Sequence, residues 1–138
     1  MDVTMLLCDH AQVAEGKLYV LGGGWNQVPE PNTPIPVALA VQIEVPWDAT
    51  NQKHSLLVRL ADDDGQSIEV EAEGANLPIQ MAGQFEVGRP PGLKQGTPIN
   101  QLMVFKFGML PLPAGGYTFE LTINDEVRAR TPFRVGLA

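Results

Sequence analysis

Short apolar runs alternate with turn-forming residues along the whole chain, and most runs have the two-residue period of a β-strand. Successive strand side chains point to opposite faces, so this alternation indicates half-buried strands. No window of about 11–18 residues repeats apolar residues at helical spacing. The best helical candidate, Asp48–Gln52, is one turn at most. The predicted strands are Val3–Cys8, Lys17–Leu21, Val37–Val45, His54–Leu60, Ser67–Glu73, Ile79–Val87, Leu102–Phe107, Tyr117–Ile123 and Val127–Val135.

The breaks between these runs contain most of the 14 glycines and 12 prolines. Asp62–Gly65 ends in Asp-Gly, a strong hairpin signal, and Asn124–Glu126 joins the last two runs. Many short strands with regularly spaced turns are typical of a β-sandwich. We therefore predict an all-β fold over residues 1–138 as a single domain. The expected architecture is a two-sheet antiparallel sandwich, immunoglobulin-like or C2-like, with about 8–9 strands and no substantial helix.

The apolar positions of these strands predict the hydrophobic core. Burying such side chains, at ~1.5–3 kcal/mol each, is sufficient to drive folding against chain entropy. The predicted core contains Leu6, Cys8, Leu18, Val20, Leu39, Val41, Ile43, Leu56, Val58, Leu60, Val104, Phe119, Leu121 and Ile123.

The closing hairpin resembles the last two strands of many immunoglobulin-like modules. A Pro/Gly turn at Pro113–Gly116 opens a strand that begins with Tyr117, and the final strand ends in Phe133-Arg134-Val135. This resemblance covers a short segment and supports the architecture only.

The charge balance excludes several classes of partner. The chain has 9 Lys and Arg against 16 Asp and Glu, a net charge of −7. Nucleic acids and anionic membranes attract basic surfaces, so neither is an expected partner. A single cysteine excludes an internal disulfide framework and a multi-thiolate metal site. No apolar run approaches the ~20 residues of a membrane span, and Met1–Thr4 lacks the basic start of a secretory signal. We expect a cytoplasmic protein.

Residues with catalytic or metal-binding chemistry are few. Cys8, Asp9 and His10 are consecutive, but strand geometry places Cys8 and His10 on one face and Asp9 on the other. Nothing marks an oxyanion hole, so a small hydrolase centred on Cys8 and His10 is a secondary alternative. His10 and His54 lack paired metal-ligand spacing. The Asp62–Asp64 turn lacks EF-hand spacing, and cation binding there is left open. We predict no catalytic residues, no cofactor and no metal.

Two tryptophans and one loop are candidates for a binding surface. Trp25 and Trp47 both adjoin Gly- or Pro-rich turns, and large rigid aromatic residues dominate interface hot spots. The longest breaker-rich segment, Gly88–Pro98, is either a connection between sheets or a stiffened partner-binding loop. Its candidate contact residues are Arg89, Pro90, Pro91, Leu93 and Lys94.

Opposite charges concentrate on different predicted strands. Glu69, Glu71 and Glu73 share one strand face, whereas Arg128, Arg130 and Arg134 share one parity of the last strand, opposite Val127. Within one subunit such charges form surface ion pairs worth ~0–1 kcal/mol. Between subunits an acidic edge facing a basic edge gives a head-to-tail contact.

These features predict a non-enzymatic protein-binding or self-assembly module, homo-oligomeric through complementary acidic and basic edges. The first alternative is a small-ligand or carbohydrate binder that uses the loop tryptophans Trp25 and Trp47.

Leu6–Val13 and Gly16–Trp25 carry a "CD-x-A…GKL-x-x-LG" pattern, and Gly88–Leu93 and Leu110–Tyr117 are two further characteristic segments. Together these segments resemble a family of small bacterial proteins of unknown function that is common in actinobacteria. The resemblance implies a compact, cytoplasmic, stand-alone β protein. No activity is known for the family, so the resemblance assigns no catalytic residue.

Overall fold

The computed structural model describes residues 1–136, and this segment is built almost entirely of β-strands. All nine predicted strands are present. Two further strands, Gln27–Val28 and Ala75–Pro78, lie outside the predicted set. A single 3-10 turn at Trp47–Ala49 overlaps the predicted helical turn. The strands are β1 (Asp2–Ala14), β2 (Lys17–Gly23), β3 (Gln27–Val28), β4 (Pro34–Val45), β5 (Lys53–Asp62), β6 (Glu69–Ala72), β7 (Ala75–Pro78), β8 (Gln80–Glu86), β9 (Ile99–Pro111), β10 (Gly115–Ile123) and β11 (Glu126–Val135).

Two sheets face each other, and a small ribbon projects from them. The first sheet has the order β2-β1-β4-β9, the second has the order β3-β11-β10-β5-β8, and β6 pairs with β7 alone. All pairs are antiparallel except β3 with β11. The orders β1-β4-β9 and β11-β10-β5-β8 correspond to strands A-B-E and G-F-C-C′ of an immunoglobulin variable domain. The predicted all-β, two-sheet sandwich is confirmed, with eleven strands in residues 1–136 where about 8–9 are expected.

Tyr117 supplies a second immunoglobulin-like feature at the start of β10. Its hydroxyl donates a 2.7 Å hydrogen bond to the carbonyl of Pro113, and its ring stacks on Phe133. A tyrosine that bonds back to the preceding corner in this way is a feature of immunoglobulin folds. Burial, followed by the nearby charge of Asp62, raises the pKa of Tyr117.

The main core lies between the two sheets and follows the predicted alternation. Its members on β4, β5 and β10 stand at every second position because one face of each strand points inward. The confirmed predicted residues are Leu39, Val41, Ile43, Leu56, Val58, Leu60, Phe119, Leu121 and Ile123.

The other predicted core residues do not belong to this main core. Leu6 is 39% exposed, because the alternate residues of β1, Val3, Met5 and Leu7, face inward instead. A second, smaller cluster lies on the outer face of the first sheet. It contains Cys8, Ala11, Ala38 and Ala40, with Leu18, Val20 and Val104 partly buried against it.

The β1–β2 hairpin (residues 9–23) forms this second cluster by bending over the outer face of the first sheet. Gly22, with φ +60°, interrupts the extended conformation of β2. A Cβ at Gly23 would meet the side chains of Val20 and Leu6 at 2.8 and 3.0 Å, so the glycine permits this close approach. The small side chains of Ala38 and Ala40 leave room for Ala11, which is fully buried. The hairpin is therefore a third layer on the sandwich.

Two local irregularities change predicted side-chain directions. Glu73 and Gly74 both have positive φ and form the β6–β7 turn, so Glu73 does not share a strand face with Glu69 and Glu71 as predicted. A register shift at the end of β10 pairs Val127 with Thr122 on the outer face. The predicted placement of Val127 opposite the arginines is therefore wrong.

Candidate functional site

Three connections meet at one end of the sandwich, here called the loop end. They join β4 to β5 (residues 46–52), β8 to β9 (residues 87–98) and β10 to β11 (residues 124–125). Loops at one end of a sandwich can vary while the sheets hold them in place, and variable domains bind through such loops.

Trp47 and Arg89, both predicted interface residues, meet at the loop end. The guanidinium carbon of Arg89 lies 4.1 Å from the centre of the Trp47 ring, a cation–π geometry. Arg89 Nε donates to Thr50 Oγ1 at 2.6 Å, and its Nη2 donates to the Trp47 carbonyl at 2.7 Å. Arg89 therefore ties the β8–β9 loop to the 3-10 turn and covers part of the indole.

The rest of the β8–β9 loop is mostly exposed. Pro90, Pro91 and Lys94 face solvent and Leu93 is half-buried. The Leu93 N–H donates to the Pro90 carbonyl at 3.3 Å, which forms a local turn. A shallow depression of about 310 Å³ lies nearby, and its lining includes Trp47, Gly96 and the cross-strand pair Asp2 and Glu44.

His54 is buried at the loop end and holds two connections together. Its Nε2 lies 2.8 Å from the Ala49 carbonyl, and its Nδ1 lies 2.9 Å from Asn124 Nδ2. A carbonyl only accepts and an amide nitrogen only donates, so these two contacts fit the imidazole tautomer that carries a proton on Nε2. Asn124 Oδ1 also accepts the N–H of Ser55 at 3.0 Å. Both ring nitrogens are occupied, which indicates a structural role that the sequence pattern does not reveal.

The consecutive residues Cys8, Asp9 and His10 are not assembled into a catalytic group. The Cys8 thiol is buried and donates to the Ala38 carbonyl at 3.5 Å. Asp9 Oδ1 instead accepts the indole N–H of Trp25 at 3.1 Å, and His10 is exposed. Burial, followed by the charge of Asp9, raises the pKa of the Cys8 thiol. Because the thiolate is the nucleophile, this environment disfavours a reactive cysteine.

The raised pKa of Cys8 predicts a stability change at alkaline pH. The folded state binds the thiol proton more tightly than the unfolded state does, so this contribution is complete below the ordinary pKa of 9.0 and is lost as pH rises. We expect Cys8→Ala to lower the free energy of unfolding by about 1 kcal/mol at neutral pH. Above pH 9.0, the free energy of unfolding of the variant should fall less steeply with pH than that of the wild type. Urea unfolding across this pH range measures both slopes, and equal slopes would contradict the prediction. Tyr117 is present in both proteins, so its own alkaline titration cancels.

Trp25 lies away from Trp47, at the end of β11. Its ring meets Phe133 edge to face, with centres 5.8 Å apart, and its indole N–H is bonded to Asp9. Trp25 therefore fixes the base of the β1–β2 hairpin against the main core.

The arginines of β11 are paired within the chain, although not with the predicted acidic strand. Arg130 Nε lies 3.2 Å from Glu120, whose other carboxylate oxygen lies 3.2 Å from Arg59. Arg128 pairs with Glu126 at 2.9 Å, and Arg134 lies 3.8 Å from Asp63. These pairs favour the interpretation in which the arginines of β11 form surface ion pairs within one subunit.

The predicted acidic strand lies elsewhere. Glu69, Glu71 and Glu73 are exposed on the β6–β7 ribbon, and within residues 1–136 none of them forms an ion pair. At the preceding turn, Asp62 Oδ1 accepts the N–H groups of Asp64 and Gln66. In the described part of the chain, no three acidic, histidine or cysteine side chains are grouped to hold a metal ion.

Leu21, the most exposed large apolar side chain of residues 1–136, lies with Tyr19 on a surface that the sequence does not predict as a site. The outward face of the β1–β2 hairpin, here called the hairpin surface, has a depression of about 540 Å³. It consists of His10, Gln12, Ala14, Glu15, Tyr19 and Leu21. Tyr19 is 50% exposed and Leu21 is 66% exposed. After Lys17, the segment Lys17–Leu21 is apolar at both odd and even positions. This pattern is the sequence feature that points to the hairpin surface.

Comparison with known proteins adds a family but no activity. No curated protein matches the chain. Among residues 1–136, no helix is both long enough and apolar enough to cross a membrane. Residues 3–136 match a family of unknown function, DUF6941. Since the match extends over nearly the whole sequence, the chain belongs to the DUF6941 family.

Proposed function

We propose that this protein is a non-enzymatic protein-binding module that self-associates, and that the hairpin surface is its binding face. The observation that carries the proposal is the exposure of Tyr19 and Leu21 on a ribbon whose opposite face is fixed. Exposed apolar side chains grouped on one surface are typical of interaction sites. Tyrosine is also enriched among the residues that dominate binding energy.

The backbone beneath this surface is positioned before any partner arrives. Ala11 is fully buried against the first sheet, and Trp25 holds the base of the hairpin through Asp9. A binding face that is already ordered loses less entropy on association. This rigidity supports a role in binding.

Complementary charged edges are a secondary part of the proposal. Arg130 and Arg134 already have acidic neighbours in their own chain, whereas the β6–β7 ribbon projects Glu69 and Glu71 into solvent. Charges at the rim of an interface change association rates more than affinity. We therefore assign the affinity to the hairpin surface and a steering role to the charged ribbon and β11.

The proposal predicts that polar substitution of the hairpin surface weakens self-association. Tyr19→Ser with Leu21→Ser should raise the dimer dissociation constant at least ~10-fold, since this factor corresponds to only about 1.4 kcal/mol. Sedimentation velocity over a wide concentration range measures this constant. The matched control is Val70→Ser with Leu77→Ser, a cross-strand pair of similar exposure on the β6–β7 ribbon. A wild-type protein that stays monomeric, or an equal loss in the control, would refute the proposal.

A second candidate function is binding of a small polyhydroxylated ligand, such as a carbohydrate, at the loop end. The supporting observation is the depression where Trp47 adjoins the carboxylates of Asp2 and Glu44. An indole can stack on a sugar ring while carboxylates accept its hydroxyl groups. Ligand-dependent quenching that persists in Trp25→Phe and disappears in Trp47→Phe would support this function. Unchanged fluorescence with a panel of sugars would exclude it for those sugars.

We also propose that the module acts in the bacterial cytoplasm. The support is the family resemblance together with a single cysteine that is free and buried. Cytosolic proteins generally keep their thiols reduced.

A further inference from the structure

The free edge of β2 has few of the features that protect exposed sheet edges. β2 lies at the end of the first sheet, where no further strand pairs with it. Exposed edges are usually protected by charge, proline, bulges or short length. β9 has Lys106 and a bulge at Gly108, and β3 has two residues followed by Pro29, whereas β8 has one charged residue, Glu86, at its last position. β2 has one charged residue, Lys17, at its first position, and its irregular residue, Gly22, follows the regular segment Lys17–Leu21.

The turn between β1 and β2 determines which backbone groups point to the free edge. Glu15 and Gly16 form a two-residue turn with positive φ, and Ala14 pairs with Lys17 next to it. The pair that closes such a turn exchanges both hydrogen bonds, and hydrogen-bonded and non-bonded pairs then alternate. Lys17, Tyr19 and Leu21 therefore bond to β1. The N–H and C=O groups of Leu18 and Val20 point away from it, towards the free edge.

This pattern is complementary to itself. If two β2 strands lie antiparallel with Tyr19 opposite Tyr19, Leu18 of each copy faces Val20 of the other. Each of these pairs exchanges both hydrogen bonds, which gives about four across the contact. The same geometry places Lys17 opposite Leu21, so the two lysines stand at opposite ends of the shared ribbon.

The charge distribution also suits a second copy. The whole chain has a net charge of −7, so most approaches between two molecules bring acidic surfaces together. The strand Lys17–Gly23 contains no acidic residue. Like charges directly opposite one another on paired strands are destabilising, and the antiparallel register avoids this for Lys17.

We infer that two copies of this protein associate by pairing the free edges of β2 about a twofold axis at Tyr19. The two first sheets then join into one continuous sheet, and the Tyr19 and Leu21 side chains of both copies form a single apolar surface. This inference rests on the proposed self-association and specifies its geometry. Pairing of strands at exposed sheet edges is a recurrent mode of recognition.

Cysteine cross-linking tests the register directly. Opposed residues of a non-hydrogen-bonded antiparallel pair have Cα atoms ~4.5 Å apart, within the range that a disulfide spans. In a Cys8→Ala background, Tyr19→Cys should form a covalent dimer rapidly when diamide is added as oxidant. Leu21→Cys is the control, because its two copies would lie roughly 14 Å apart after a four-residue offset. A mixture of Lys17→Cys and Leu21→Cys proteins should cross-link to each other, since these positions are opposed.

Hydrogen exchange separates failure of this inference from failure of the proposed function. With increasing protein concentration, the amides of Leu18 and Val20 should become protected, whereas the amide of Tyr19 is already bonded to β1 and should change little. If the protein self-associates but these amides stay unprotected and Tyr19→Cys does not cross-link, the edge-pairing geometry is wrong and the proposed function stands. If the protein is monomeric at every concentration, both fall.

Discussion

Val58→Asp is expected to abolish the folded state. Val58 is fully buried in the middle of β5, between Leu121 of β10 and Met81 of β8. The substitution loses the ~1.5–3 kcal/mol of a buried valine and adds several kcal/mol for a carboxylate without a partner. Folded domains have only about 5–15 kcal/mol of stability in total. Circular dichroism should therefore show no cooperative thermal transition.

Leu57→Asp is the matched control on the neighbouring position of the same strand. Leu57 is half-buried on the outer face, where it pairs with Thr122 and Ala82. An aspartate there keeps access to water, so we expect a loss of about 1 kcal/mol and a retained cooperative transition. A native-like melt of Val58→Asp would show that this face of β5 does not form the core.

The main core was predictable because β5 and β10 have one buried and one exposed face. Alternation then reports the direction of each side chain, as it does for Val58 and Leu121. β1 and β4 behave differently, because both of their faces are covered. Leu39 and Ala40 are both buried, one in each cluster. A strand buried on both faces has a continuous apolar run in the sequence. The alternation of residues then does not show which side chains face the main core. The incorrect placement of Leu6 in the core follows from this ambiguity.

The candidate sites were predictable only in part, for a related reason. Trp47 and Arg89 were both identified by residue type, but their contact depends on how two distant connections meet. The hairpin surface was missed because Tyr19 and Leu21 look like core residues in a short apolar run. Their exposure results from the bend at Gly22, which turns the opposite face of the hairpin onto Ala38 and Ala40. Sequence alternation describes a strand and does not say which sheet face another element will cover.

The second cluster gives the other large effect that we expect, from Ala11→Asp. Ala11 is as inaccessible to solvent as Val58, so a carboxylate at either position has a similar cost of desolvation. The surroundings of Ala11 differ, because the cluster between hairpin and sheet is made of Cys8, Ala38 and Ala40 and none of the main core passes through it. The hairpin can therefore swing away from the sheet and hydrate the charge. The free energy of unfolding should therefore fall by the energy that docks the hairpin on the sheet, about 2–4 kcal/mol for a few small apolar side chains.

The expected result is a sandwich that still melts cooperatively, at a lower temperature, with hydrogen exchange of the Ala11–Val20 amides greatly accelerated and those of β5 and β10 unchanged. Gln12→Asp is the control, because Gln12 is exposed on the opposite face of the same strand and should tolerate a charge. Complete unfolding of Ala11→Asp would mean that the hairpin is an integral part of the sandwich. The predicted outcome instead makes it a separable layer. If the proposed function holds, Ala11→Asp should also lose self-association, because the hairpin surface is ordered only while its other face is docked.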